Sequence, residues 1–180
     1  RDQLGAASFV ALCGSIPPGV PIDAYRVLGE LARAEGKPLL IDADGEPLAQ
    51  GLLAKPTMIK PNQKEAERLL GIKIANETDA LEASKTLAQR LDAESIVIVS
   101  RGADGAVANH KGQLFVGTSP KVQARSTIGS GDSLLGGLIA SLLAGQSFEQ
   151  AFKLGLAAGA ATATTDGSEI GDAATIRQLA

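Results

Sequence analysis

The sequence predicts an α/β fold on a mostly parallel sheet, and three observations predict it. Short apolar runs alternate with helical periods along nearly the whole chain. One run, Ser95-Ile96-Val97-Ile98-Val99-Ser100, has the β-branched core of a central parallel strand. Strands separated by helices then require parallel pairing, with helices covering both faces. The chain of 180 residues is long enough for one domain with a real core and too short for two comfortable ones. Hydrophobic residues at 44% mark it as globular. No repeat, low-complexity stretch or internal domain boundary is visible, so residues 1–180 read as a single unit.

In order, Phe9 to Cys13 reads as a buried strand, ended by the turn Gly14-Ser15-Ile16-Pro17-Pro18-Gly19. Tyr25, Leu28, Leu31 and Ala32 recur at helical spacing, and Gly36 closes that helix. Pro38 to Ile41 is a second strand ending in Asp42, and Glu46 to Leu53 a helix. Thr57-Met58-Ile59 is a third strand, broken by Lys60-Pro61-Asn62. A helix follows that ends at Leu69 and Leu70, with Gly71 as its stop. Thr78 to Leu91 is a helix, and the Ser95 to Ser100 strand leads into a turn at Arg101 to Gly105. Ala106 to Asn109 and Gln113 to Val116 form a hairpin around His110-Lys111-Gly112. Two small-residue helices complete the chain, Asp132 to Ala144 and Phe148 to about Thr164; Leu134 to Leu143 reads as buried.

Composition excludes several functions. Net charge is −3 with both signs interspersed, against the basic face a nucleic-acid partner needs. Aromatics at 3% leave no stacking platform for single strands. Cys13 is the one cysteine, so no internal disulfide forms, and a reducing cytoplasmic setting fits. No apolar run approaches the ~18 residues that span a membrane. With one histidine, His110, zinc is not expected and His110 is assigned no chemistry. The chain opens Arg1-Asp2-Gln3-Leu4 without methionine or signal-peptide pattern and soon enters a strand, so a longer protein that has lost its front portion is expected.

The richest stretch is Ser126-Thr127-Ile128-Gly129-Ser130-Gly131-Asp132-Ser133. Gly129, Ser130 and Gly131 are small enough for close backbone approach, and the helix behind them would aim free N–H groups and a positive dipole end at an anion. A carboxylate repels phosphate, so Asp132 makes chemical sense as a base taking a proton from an attacking hydroxyl. Alternatively Asp132 is only the helix N-cap. A dinucleotide fingerprint fails at Leu134, and no Walker Gly-Lys-Ser/Thr triplet exists.

The polar turns fall just after strands, where ligands bind in parallel sheets, and one cleft could collect them. Asn62 and Glu65, three apart on one helical face, read first as a capping box and also suit a water-coordinated Mg²⁺, and both can hold. Ser100-Arg101-Gly102-Ala103-Asp104-Gly105 is a turn centred on Asp104-Gly105, or else backbone lining for a nucleotide. Gly155, Ala157, Ala158, Gly159, Ala160 and Ala161 make a smooth helix face for close packing against the Leu134 helix, or for an adenine ring.

Together these residues resemble the PfkB family of carbohydrate kinases, over nearly the whole chain as the C-terminal portion of a member. The resemblance implies a three-layer α/β/α ribokinase-like fold, mostly parallel, with the N-terminal part and lid missing. Thr127 to Asp132 resembles the family's second signature, which implies Asp132 as catalytic base and the amides of Gly129, Ser130 and Gly131 as an anion hole. The family usually has alanine where Ser130 stands. Lys60-Pro61-Asn62-Gln63-Lys64-Glu65 resembles its Asn-x-x-Glu element, implying Mg²⁺ at Asn62 and Glu65 through water. By the same resemblance ATP contacts fall on Lys60, Asn62, Ser100, Gly102, Ala103, Gly105, Ala158 and Gly159. Similar proteins bind K⁺, which would rest on Ser126, Ile128, Thr162, Thr165, Gly167 and Glu169.

The Gly14 to Gly19 turn and Asp42-Ala43-Asp44-Gly45-Glu46 are most similar to the fructose-phosphate and tagatose-phosphate kinases, which places Gly14, Ser15 and Asp132 on the sugar. The implied reaction is ATP-dependent phosphorylation of a phosphorylated ketohexose, fructose 1-phosphate to fructose 1,6-bisphosphate. Alternatives are a 6-phosphofructokinase, a tagatose-6-phosphate kinase or an inactive nucleotide-binding remnant. The implied partners are ATP and a sugar phosphate, and a homodimer for the full-length protein, since the family's lid commonly forms the dimer interface. The fragment alone is expected to be inactive.

Overall fold

The computed structural model describes residues 2–180; Arg1 lies outside the described residues. The chain divides into two compact units, residues 1–100 with 107–114 and residues 101–106 with 115–180.

The first unit is built on a sheet. Its strands are β1 (Val10–Cys13), β2 (Leu39–Asp42), β3 (Met58–Ile59), β4 (Ile96–Ser100), β5 (Ala106–His110) and β6 (Gln113–Gly117), lying in that order. The last two strands cross the division between the units. β1 to β4 are parallel, with Val10 beside Leu39, Leu40 beside Met58 and Met58 beside Ile96. The five-residue link from β4 to β5 is too short for a parallel crossover, so the order ends in antiparallel strands. Lys111 and Gly112 form the β5–β6 turn with φ of 55° and 76°, the double positive φ of a type I′ hairpin.

After a first short helix α1 (Asp2–Ala6), the helices α2 (Ala24–Ala34), α3 (Gly45–Gly51), α4 (Gln63–Leu70) and α5 (Glu77–Ala88) link β1 through β4. Each parallel step moves to the next strand in one direction, so right-handed crossovers put all these helices on one face. The main core cluster shows this. Leu39, Ile41, Ile59, Val97 and Val99 point to that face and pack with Ala32, Leu48, Ala66, Ala83 and Leu87. The alternate residues Leu40, Met58, Ile96 and Ile98 are also buried, so both faces are dry, as the sequence predicts. β1 is the exception to the predicted burial: its residues alternate half-buried and exposed, because it is an edge strand, and Cys13 is exposed.

The second unit holds α6 (Ser130–Leu143), α7 (Phe148–Ala163) and α8 (Ala173–Leu179). α6 begins two residues earlier than predicted and is only partly buried; Leu134, Leu135 and Leu138 face inward while Leu143 is exposed. α7 is buried along most of its length, and Ser147 caps it with Gln150 in a capping box. α8 was not foreseen, since its seven residues carry too little apolar periodicity; Asp172 caps it by accepting from the amides of Ala174 and Thr175.

Candidate active site

In the first unit the carboxyl ends of the strands gather a polar cluster. Gly14, at φ 91°, donates its N–H to the Asp42 carbonyl at 2.9 Å, and Asn62 bridges Ser100 in parallel fashion. These contacts bring Gly14, Asp42, Lys60, Asn62 and Ser100 to one edge of the sheet. Ser15 follows Gly14 and is exposed. Lys60 is buried, 5% exposed, and its Nζ lies 3.1 Å from Asp42 Oδ2. Its ammonium is committed to the Asp42 carboxylate, because a buried charge needs a partner.

Asn62 and Glu65 form a complete capping box at the start of α4. Asn62 Oδ1 accepts from the Glu65 amide at 3.0 Å, and Glu65 accepts from the Asn62 main-chain N–H at 2.7 Å and from Asn62 Nδ2 at 2.6 Å. Withdrawal from water pushes the Glu65 carboxyl above its ordinary range. The Asn62 N–H and Lys60 pull it back in part. Asp44, nearby in charge, is held by Arg68 at 2.6 Å. The capping reading is met. Oxygen lone pairs for a hydrated cation remain on both Glu65 oxygens and on Asn62 Oδ1. Among the described residues no group of three or more His, Cys, Asp or Glu could hold a metal ion.

In the second unit, Gly129 at φ 76° is the residue that caps α6, a conformation that favours glycine. Asp132 is therefore not the N-cap; it is the third helical residue, which corrects the capping alternative. It is exposed and makes no hydrogen bond or ion pair among the described residues. The amides of Gly131 and Asp132 have no backbone acceptor there, whereas the Ser130 amide lies 3.3 Å from the Thr127 carbonyl. A free carboxylate thus stands beside two open amides at the positive end of a 14-residue helix. Ser130 Oγ is buried with no hydrogen-bond partner.

The residues proposed for K⁺ lie in this unit, knit by oxygen contacts. Ser126 Oγ donates to the Gly167 carbonyl at 2.6 Å and accepts from the Ile128 amide at 3.2 Å. Thr165 Oγ1 lies 2.8 Å from the Thr162 carbonyl and 2.5 Å from that of Glu169, and its single proton can serve only one at a time. Thr162 Oγ1 donates to Ser133 Oγ at 2.7 Å, tying the end of α7 to the start of α6.

Two predicted stretches have structural explanations. Gly102 to Asp104 make a 3₁₀ turn, one residue ahead of the predicted centre, closed by the Arg101 amide on the Gly105 carbonyl at 2.8 Å. Gly102 and Ala103 are exposed; Gly105, at φ 89°, has no room for a Cβ, which would sit 2.0 Å from the Gly117 carbonyl. On α7, Gly155 and Gly159 face the backbone of α6, where a Cβ would lie 2.7 Å from the Leu134 carbonyl and 3.0 Å from that of Ser130. Ala158 is 2% exposed beside Gly137. Gly155 and Gly159 thus let α6 and α7 pack closely.

The parallel sheet and the glycine-capped helix mouth define the class, an α/β protein of the ribokinase-like kind. The sequence profile of the pfkB family carbohydrate kinases matches residues 1–174, and the chain belongs to that family. A curated 1-phosphofructokinase of Bacillus subtilis (strain 168) is 32% identical over 178 residues, covering 99% of this chain and 57% of the relative. The solved structure of phosphofructokinase-2 from Escherichia coli in complex with potassium superposes with a TM-score of 0.89 at 26% identity, over 99% of this chain and 59% of that one. Arabidopsis thaliana ribokinase complexed with ribose and ATP shares the fold, at TM-score 0.83 and 19% identity, over 99% and 57% of the two chains. The chain spans less than two thirds of the length of each. No described helix is long and apolar enough to cross a membrane.

Proposed function

We propose that this chain carries the catalytic and nucleotide-binding groups of an ATP-dependent sugar-phosphate kinase that converts fructose 1-phosphate to fructose 1,6-bisphosphate in the cytoplasm. The observation that carries the reading is Asp132, exposed and unpartnered beside two open amides at a helix start. Asp132 takes the proton of the sugar hydroxyl as its oxygen forms a bond to the γ-phosphorus. The bond from that phosphorus to the bridging oxygen breaks, and ADP leaves. The amides of Gly129, Gly131 and Asp132 stabilise the phosphoryl group in transit, the largest expected catalytic contribution. Asn62 and Glu65 would hold a hydrated Mg²⁺, which when bound neutralises phosphate charge. The oxygens of Ser126, Ile128, Thr162, Thr165, Gly167 and Glu169 would hold K⁺, whose usual ligands are oxygens of this kind. Gly14 and Ser15 contribute to the sugar side, and Ser100 and Gly102 to the nucleotide side. The relatives support a phosphofructokinase; the curated relative's name favours fructose 1-phosphate as acceptor.

A second reading, phosphorylation of fructose 6-phosphate, is favoured by a solved Escherichia coli phosphofructokinase-2 in complex with that sugar, at TM-score 0.85 and 26% identity. Two measurements on the protein test these readings. Asp132→Asn is expected to leave ATP affinity nearly intact and to cut turnover at least ~10²-fold, the loss of general-base catalysis; near-normal turnover removes Asp132 from the mechanism. Turnover on a panel of fructose 1-phosphate, fructose 6-phosphate and tagatose 6-phosphate identifies the acceptor. The protein is proposed to be a homodimer, which sedimentation checks.

A further inference from the structure

The first unit has a cavity of about 400 Å³ lined by Pro38, Leu39, Thr57 and Ser95, at the amino ends of β2, β3 and β4. It is the opposite end of these strands from Asp42, Lys60 and Ser100. Ligands of parallel sheets gather at the carboxyl ends, so this cavity is separate from the site described above. We propose that it binds a small phosphate-bearing dianion.

The charge balance around it points to that class. Arg33, Lys37 and Lys55 line the cavity against Asp92 and Glu94. Both carboxylates are already engaged: Asp92 pairs with Arg33 at 2.9 Å, and Glu94 pairs with Lys111 at 2.5 Å. The two lysines make no ion pair among the described residues. Lys37 Nζ donates to the Gly5 carbonyl at 3.1 Å, and Lys55 Nζ to the Arg90 carbonyl at 2.7 Å. A carbonyl orients an ammonium without cancelling its charge, so two positive charges border one cavity uncompensated. Thr57 adds a neutral donor. Its Oγ1 accepts from the Leu39 amide at 3.1 Å, and its own proton has no acceptor among the described residues. A phosphate monoester supplies a charge near −2 and acceptor oxygens for two ammonium groups and a hydroxyl. The volume fits a metabolite of sugar-phosphate size.

The test is a ¹⁵N NMR titration of this chain with inorganic phosphate, with chloride at equal ionic strength as control. Saturable shifts are expected at the amides of Gly36, Leu39, Thr57 and Ser95. The double variant Lys37→Ala, Lys55→Gly should weaken the fitted affinity at least ~10-fold, about 1.4 kcal/mol. Lys55 sits at φ 52°, a conformation glycine adopts freely, so Lys55→Gly removes the charge without straining the fold. Equal shifts with chloride overturn the proposal, as does unchanged affinity in the double variant. Phosphate shifts confined to Gly129–Asp132 overturn it too, and leave the kinase reading standing. Loss of shifts at Gly129–Asp132 alone touches only the kinase reading.

Discussion

Glu65 spends both carboxylate oxygens on Asn62, one on its main-chain N–H and one on its side-chain N–H. The contact fixes the carboxylate's position at the helix start while withdrawing it from water. The hydrogen bonds supply the rigidity and hold the pKa down in part; the raised pKa comes from the desolvation.

That cause gives a pH prediction. The folded-state pKa of Glu65 lies above its ordinary value of 4.5, chiefly through desolvation. Its protonated form favours folding. The contribution is complete below the unfolded pKa and is lost as pH rises through the folded one. Glu65→Gln, neutral throughout, should gain stability relative to wild type as pH rises from the ordinary carboxyl range through the raised folded-state pKa. Urea unfolding across that range checks it; parallel stability curves would refute it.

Lys60 and Asp42 form a pair whose side chains are 6% and 14% exposed. Lys60→Met should destabilise by about 3 kcal/mol, because it strips a buried carboxylate of its counter-charge. Adding Asp42→Asn should recover part of that loss. Strictly additive costs in a double-mutant cycle would deny the coupling.

Ser130 buries a hydroxyl oxygen that bonds to nothing. Ser130→Ala removes an unsatisfied polar group and should stabilise by about 1 kcal/mol, raising Tm by about 2–4 °C. Calorimetry of the two proteins decides it, and a lowered Tm would show that the hydroxyl has a partner in solution.

Two glycines in neighbouring helices should respond oppositely to alanine. A Cβ at Gly155 meets the Leu134 carbonyl at 2.7 Å, so Gly155→Ala should cost about 1–3 kcal/mol by forcing α6 and α7 apart. Gly136 on α6 is exposed with open space around it, so Gly136→Ala should gain up to about 1 kcal/mol in helix propensity. Thermal unfolding of both variants checks the contrast.

Much of the site was legible because its chemistry is written in contiguous residues. Gly129 to Asp132 announces a turn, a helix start and a carboxylate within four positions, and Asn62 to Glu65 announces a cap. What misled was position within a turn. One positive φ at Gly129 starts α6 early enough to make Asp132 its third residue, and φ is not spelled out by a run of small residues. The face from Gly155 to Ala161 could mean adenine or helix packing, and only the structure shows that Gly155 and Gly159 meet the backbone of α6.

The sequence alone determined the order of strands and helices from β1 to α7, because apolar period and breakers such as Gly36 and Gly71 act locally. Only tertiary structure decided that Lys60 lies buried against Asp42 and that β1 is half exposed. Burial and ion pairing depend on residues far apart in the chain, such as positions 42 and 60, and no local pattern records which of them meet.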